Sequence, residues 1–233
     1  MRETHELTKL LILMRAFLFD YGATIDTRGE HWSKVIFRAY QRNEIPVTWD
    51  SFWQAYVATE RTLGEGKTIL PTDTFRITLE KKVQLQLSHL RNALSEDYLH
   101  TDISGKIAND IYAETLEVVG ESREVLQHLT ETHHPTMVLV SNFYGNIRTV
   151  LSEFQLDGFF ADIIESAEVG IRKPDIRIWQ LAVEALRKAS PTPLLPTDIT
   201  VVGDSMEKDI LPAQSLGCNT IHITHGLKRD IKI

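Results

Sequence analysis

One cysteine, Cys218, is all that the 233 residues contain, which excludes both an intrachain disulfide and a cysteine-ligated metal site. An excess of positive charge is missing too. Lys and Arg number 25 against 32 Asp and Glu, for a formal net charge of −7, whereas a protein that grips a phosphate backbone needs clustered cations. Nucleic acid is therefore not an expected partner. No stretch reaches the ~18–20 continuous apolar residues of a membrane-spanning helix, so no membrane partner is expected either. The short apolar run 10–14 follows Glu3 and Glu6 and lacks the basic start and small-residue cleavage site of a signal peptide. Residues 1–13 are read as an extension outside the core, with Met14 a serviceable start, and the expected location is the cytoplasm. No internal repeat or low-complexity tract is present. What remains is the composition of an ordinary globular protein, long enough for one large domain or two small ones.

The run from Ala16 to Phe19 is continuously apolar, as in a strand buried on both faces of a parallel sheet, and it ends abruptly in Asp20. Ligands of open α/β sheets bind outside the carboxyl ends of the strands, which puts this carboxylate where chemistry is done. Taken alone, it reads more simply as the start of a turn. From Asp26 the pattern becomes helical. Residues 30–43 carry Trp32, Val35, Ile36, Ala39 and Tyr40 at helical spacing. After Pro46, Thr48 is placed to cap a helix bearing Phe52, Trp53, Tyr56 and Val57, a stripe expected to be core. A flexible loop with one lysine, Gly64-Glu65-Gly66-Lys67-Thr68, comes next. Amphipathic stretches at 73–94 and 103–119 follow, with Glu80, Lys81 and Lys82 expected to face solvent.

From about Glu121 helix and strand alternate. A helix over 122–132 leads to a strand at 137–140 that ends in Ser141-Asn142; a helix over 146–154 leads to a strand at 161–164. Pro174 suits a helix start, and that helix is expected to run to about Ala189. The strand 199–202 ends in Gly203-Asp204-Ser205, and a helix near 208–216 precedes a last strand at 220–223. Strands separated by helices read as right-handed βαβ units of a parallel sheet, with the all-helical stretch 27–118 inserted after the first strand.

Three of these strand ends carry groups suited to phosphoryl transfer: Asp20, Ser141-Asn142 and Asp204-Ser205, with Lys173 between the last two. Displacement at phosphorus requires a nucleophile, a hydroxyl donor, a cation and a carboxylate for a metal. Here the sequence resembles the haloacid dehalogenase superfamily of hydrolases over essentially all of residues 15–225. Phe19-Asp20-Tyr21-Gly22-Ala23-Thr24 is similar to its first motif and Val140-Ser141-Asn142 to its second. Gly170-Ile171-Arg172-Lys173-Pro174-Asp175 is similar to the third, and Gly203-Asp204-Ser205 through Asp209 to the fourth. The resemblance implies an α/β fold, with a Rossmann-like parallel-sheet core (residues 1–26 and 119–233) and an inserted all-helical cap domain (27–118). It implies Asp20 as nucleophile through a phosphoaspartyl intermediate, Ser141 as a donor to the phosphate and Lys173 as the cation between nucleophile and phosphate. It also implies Mg²⁺ held by Asp20, the Gly22 carbonyl and Asp204 with Asp209 in support, and a small phosphorylated metabolite as substrate. Asn142, Lys67 and His31 are the expected substrate-side residues.

One departure stands out. Phosphatases of this superfamily carry a second Asp two positions after the nucleophile, as general acid and base; here that position is Gly22. The dehalogenase branch also lacks that Asp, but its chemistry needs no metal, whereas this chain keeps Asp204 and Asp209. Metal-dependent phosphate chemistry is therefore the favoured expectation, with His31, at the entrance of the insertion, a candidate replacement acid. Two alternatives stand beside it. Phosphonoacetaldehyde hydrolases have a small residue at that position and form an imine on a cap lysine, here Lys67; the other alternative is a protein that, without its acid, binds phospho-ligands and does not turn them over. Hinges are expected near Asp26 and Gly120, with the loop 64–68 closing over the site.

Overall fold

The computed structural model describes residues 15–65, 68–94, 98 and 101–224. Five strands, β1 (Ala16–Asp20), β2 (Thr136–Ser141), β3 (Asp162–Glu165), β4 (Ile199–Gly203) and β5 (Asn219–His222), form one sheet in the order β3-β2-β1-β4-β5. Every pairing is parallel. β1 and β4 are buried at all five positions, which is why their sequences show no alternation. Asp20 lies opposite Val140, and Phe19 lies opposite Val202. The ends of β1, β2 and β4 therefore reach the same edge of the sheet. The chain winds to one side of β1 and then crosses to the other, so this edge is also the switch point where open α/β sheets bind ligands.

The helical insertion follows β1. It contains α1 (Trp32–Arg42), α2 (Trp49–Gly64), α3 (Phe75–His89) and the first part of α4 (Thr101–His133). Thr48 and Thr74 cap α2 and α3, accepting from the amides of Ser51 and Ile77. The two helices expected over 103–119 and 122–132 are one. α4 runs for 33 residues with Gly120 in its interior, so the division expected at 118/119 falls within a helix and Gly120 is not a loop hinge. A mid-helix glycine costs only about 1 kcal/mol relative to alanine, and buried Val118 and Val119 beside it hold the helix in place.

Beyond β2 come α5 (Ile147–Glu153), the single turn α6 (Ser166–Val169), α7 (Ile176–Ala189) and a π-turn (Met206–Ile210) that runs into α8 (Leu211–Ser215). Pro174 does not open α7. Asp175 is its cap, accepting from the Arg177 amide at 3.0 Å.

Two apolar clusters cover the two faces of the sheet. Ile178, Trp179, Ala182 and Leu186 of α7 pack on Leu18, Val138, Val140 and Val201. On the other face Phe17, Phe19, Met137 and Leu139 belong to a cluster that continues into Tyr40, Phe52, Val83 and Ile107 of the insertion. One apolar core thus joins insertion and sheet. The aromatic stripe of α2 is only half in it: Phe52 is fully buried, while Trp53 is 42% and Val57 40% exposed. No described helix is long and apolar enough to cross a membrane.

Buried polar ties reinforce that core. The Asn146 amide donates to the Asp73 carbonyl at 2.9 Å and to Thr78 Oγ1 at 2.8 Å. Glu153 accepts from the Phe75 amide at 2.5 Å and the Tyr112 hydroxyl at 3.0 Å. Asn146→Ala would strand two partners in a buried site, so urea unfolding is expected to show a loss of about 1–3 kcal/mol. An unchanged midpoint and slope would mean that the insertion is not held there.

Candidate active site

Asp20 ends β1 buried, with Thr24 donating to its Oδ2 at 2.7 Å. The turn that follows is pinned by Asp26, which accepts from the Ala23 amide at 2.6 Å and, through its other oxygen, from Trp32 Nε1 at 3.1 Å. Burial pushes the Asp26 carboxyl well above the usual range. Its contacts shape the turn and fix the Trp32 ring.

Lys173 reaches Asp20 from the loop before α7. Its ammonium donates to Asp20 Oδ1, to Asp209 Oδ1 at 2.9 Å and to the Val140 carbonyl at 3.2 Å, which uses all three of its hydrogens. The Trp179 ring lies 5.3 Å away. Burial alone would lower the lysine's pKa, but Asp20 and Asp209 outweigh it and hold the pKa above the ordinary value. Asn142, expected on the substrate side, lines the cavity above Asp20 and also clasps this loop: its amide donates to the Lys173 carbonyl at 3.0 Å and accepts from the Lys173 N–H at 2.9 Å. Ser141, the last residue of β2, is buried beside it and lines the same cavity.

The fourth motif needs its glycine for space. A Cβ on Gly203 would lie 2.5 Å from the Cβ of Asp209, whose other oxygen accepts from the Ser205 amide at 3.0 Å. The carboxylate oxygens of Asp20, Asp204 and Asp209 come within 4.8 Å of one another. Burial, then the charges of Asp20 and Asp209, raise Asp204 to about 7. Asp20 is likewise raised by burial, with Lys173 opposing and Asp209 adding to the effect. Three carboxylates around one ammonium leave negative charge uncompensated. An all-oxygen donor set of this kind suits a hard divalent cation such as Mg²⁺.

A cavity of about 270 Å³ opens above this cluster and reaches the insertion. Gly22 and His31 both line it. The imidazole of His31 caps α1, with Nδ1 accepting from the Ser33 amide at 3.2 Å. Burial, then the charge of Lys208, lowers its pKa. Lys67 and Gly66 lie outside the described residues.

Among the described residues, a lysine of the insertion that lines the cavity is Lys82, one of the three residues expected on a solvated face. It is buried, with Nζ 2.6 Å from Glu60 Oε1 and 5.8 and 5.4 Å from the Tyr56 and Tyr144 ring centres. Burial would lower its pKa, but the Glu60 carboxylate dominates and raises it. The missed signal is helical phase: Phe75, Leu79, Lys82 and Gln86 recur at three- and four-residue steps on the buried side of α3.

Gly203→Ala is expected to destabilise by about 1–3 kcal/mol through overpacking. Because Asp209 must then move, Mg²⁺ binding measured by calorimetry should weaken as well. Unchanged unfolding and Mg²⁺ titration would contradict the close approach of Gly203 and Asp209.

Known proteins resemble this chain in sequence and in fold. The sequence profile of the haloacid dehalogenase-like hydrolases matches residues 14–217. Glyceraldehyde 3-phosphate phosphatase of Methanocaldococcus jannaschii is 32% identical over 74 residues, which are 32% of this chain and 30% of that protein. Phosphoserine phosphatase of Thermus thermophilus is 32% identical over 71 residues, 30% of this chain and 26% of that protein. The chain thus spans less than a third of the length of these curated relatives. Among solved structures, a dehalogenase captured with an intermediate superposes with a TM-score of 0.58 at 18% identity, covering 91% of this chain and 86% of that one. A magnesium-bound hydrolase of Bacillus subtilis gives 0.51 at 20% identity, covering 89% and 87%. At such identities the structures share the fold. The profile runs from just before β1 to just past α8 and takes in all four motifs, three at strand ends and one in the loop before α7, so the chain belongs to the haloacid dehalogenase-like hydrolases.

Proposed function

We propose that this chain is a Mg²⁺-dependent phosphatase of small phosphate esters, with Asp20 as its nucleophile and no general acid at position 22. The observation that carries this reading is the buried Lys173 ammonium bridging Asp20 and Asp209 beside Asp204. Partial matches to two phosphatases also support it. Mg²⁺, held by Asp20, Asp204 and the Gly22 carbonyl with Asp209 in support, would neutralise charge on the phosphate. An Asp20 oxygen attacks phosphorus, the bond to the ester oxygen breaks, and its electron pair leaves on that oxygen. Lys173 offsets the charge shared by Asp20 and the phosphoryl group, while Ser141 donates to a phosphoryl oxygen. Water then attacks the phosphoaspartate, which releases inorganic phosphate and restores Asp20.

Proton donation to a leaving group is typically worth about 10²–10⁴-fold in rate. Gly22 offers no side chain. His31 has its Nδ1 committed to a helix cap and a lowered pKa, so it is neutral at pH 7. A leaving group that is stable as an anion avoids this handicap. The imine reading names Lys67, which lies outside the described residues, and borohydride trapping with an aldehyde substrate tests it.

Phenyl and acetyl phosphate should be hydrolysed in the presence of Mg²⁺, with kcat/KM about 10²–10⁴-fold above that for propyl phosphate, because this ratio reports the step in which the leaving group departs. A Cβ at Gly22 meets nothing within 4 Å, so Gly22→Asp has room and should narrow the gap by raising propyl phosphate turnover. Equal kcat/KM for all three compounds in the wild type would contradict the missing-acid reading. Absence of Mg²⁺-dependent turnover of any ester would favour a non-catalytic ligand-binding protein. Lys173→Ala should lower kcat for phenyl phosphate at least about 10²-fold; a variant that keeps most of its kcat would remove Lys173 from the mechanism.

A further inference from the structure

Rings make up much of the cavity wall away from Asp20. Of the chain's 4 Trp, 6 Tyr and 9 Phe, five rings line this one cavity: Trp32, Tyr56, Phe75, Phe143 and Tyr144. Several are fixed from behind. Trp32 is held by Asp26. The Tyr144 hydroxyl donates to Glu60 Oε2 at 2.8 Å, and Glu60 in turn pairs with Lys82, whose ammonium sits against both tyrosine rings. A cation near a ring face is attracted by its quadrupole, so the buried pair sets the two rings before any ligand arrives.

The rings continue outward. Tyr56 stacks on Trp53 with centroids 5.8 Å apart and planes 18° from parallel, and Trp53 stacks on Trp49 at 5.9 Å and 24°. These three residues share one face of α2. Trp53 is 42% and Trp49 39% exposed. His31, itself on the cavity wall, lies 6.4 Å from Trp53 and 5.9 Å from Tyr56. The ladder therefore begins at the cavity and ends in solvent.

We propose that the organic part of the ester is a planar aromatic group, seated on the cavity rings and, where it exceeds one ring, extended over Trp53 and Trp49. This rests on the phosphatase reading and names its substrate class. Flat rings favour offset or edge contacts with other rings beyond what burial of area alone supplies. The missing acid points the same way independently. A phenol ionises near ~10, so an aryloxide leaves as an anion far more readily than an alkoxide.

Five substrates separate recognition from chemistry: phenyl, benzyl, 2-naphthyl, propyl and acetyl phosphate, each assayed with Mg²⁺. Benzyl phosphate carries a ring but leaves as an alkoxide, and acetyl phosphate has a good leaving group without a ring. With leaving groups matched, KM for benzyl phosphate should fall about ten-fold below that for propyl phosphate, and KM for phenyl phosphate below that for acetyl phosphate. The 2-naphthyl ester should bind more tightly still. Trp53→Ala, checked for a native circular dichroism spectrum, should raise KM for 2-naphthyl phosphate more than for phenyl phosphate. Equal KM values for ring and non-ring esters, or an unmoved 2-naphthyl KM in Trp53→Ala, overturn the proposal. If no ester is hydrolysed, the phosphatase reading has failed and binding still decides this one. Calorimetry should show phenylphosphonate bound about ten-fold more tightly than propylphosphonate, and equal affinities overturn the proposal.

Discussion

A single buried ammonium fixes the geometry of this molecule's polar centre. Lys173 stands between Asp20 and Asp209, and all three are nearly inaccessible to water. Removing the cation would leave two buried carboxylates facing each other, one of the most expensive defects a protein interior can carry. The surroundings serve to keep it there. Asn142 clasps the main chain of Lys173, the Trp179 ring closes one side, and Gly203 lets Asp209 approach the end of β4. Even so, one ammonium does not balance three carboxylates. Burial first, and the neighbouring carboxylates after it, raise Asp20 and Asp204, and a divalent cation would favour their charged forms.

The helical insertion builds the other wall of the site and packs directly against the sheet. Its core is continuous with one face of the sheet, α4 passes from insertion to β2 as one helix, and Asn146, Glu153 and Tyr144 tie it down from the sheet side. Floor and wall differ in chemistry. Carboxylates and Lys173 form the floor, while rings with one buried ion pair form the wall. Such a division suits a ligand with a strongly charged end and an apolar one.

Strand positions and the charged floor were legible because each strand is a continuous apolar run that stops at a polar residue. In a parallel sheet such stops collect at one edge, so Asp20, Ser141 and Asp204 could be grouped before any coordinates. The wall was harder to read. Lys82 looks like part of a charged surface in Glu80-Lys81-Lys82, and only its phase with Phe75 and Leu79 betrays its burial. Trp53 looks like core because it is apolar, yet neighbours in sequence point to different sides of a helix: Phe52 turns inward and Trp53 outward. Gly120 reads as a break in α4, where packing of the adjacent valines overrides local propensity. Asn142 belongs to its motif by sequence, but only the geometry shows its amide joined to the Lys173 main chain.

The central claim, that Asp20 attacks phosphorus, has a direct measurement. Enzyme mixed with Mg²⁺ and acetyl phosphate, quenched in acid within a turnover and digested, should give a phosphorylated peptide in which mass spectrometry locates the phosphoryl group on Asp20. The adduct should be absent from Asp20→Asn, which should also be inactive. Steady Mg²⁺-dependent release of phosphate with no phosphoryl group on Asp20 at any quench time, or with activity retained in Asp20→Asn, would contradict the account.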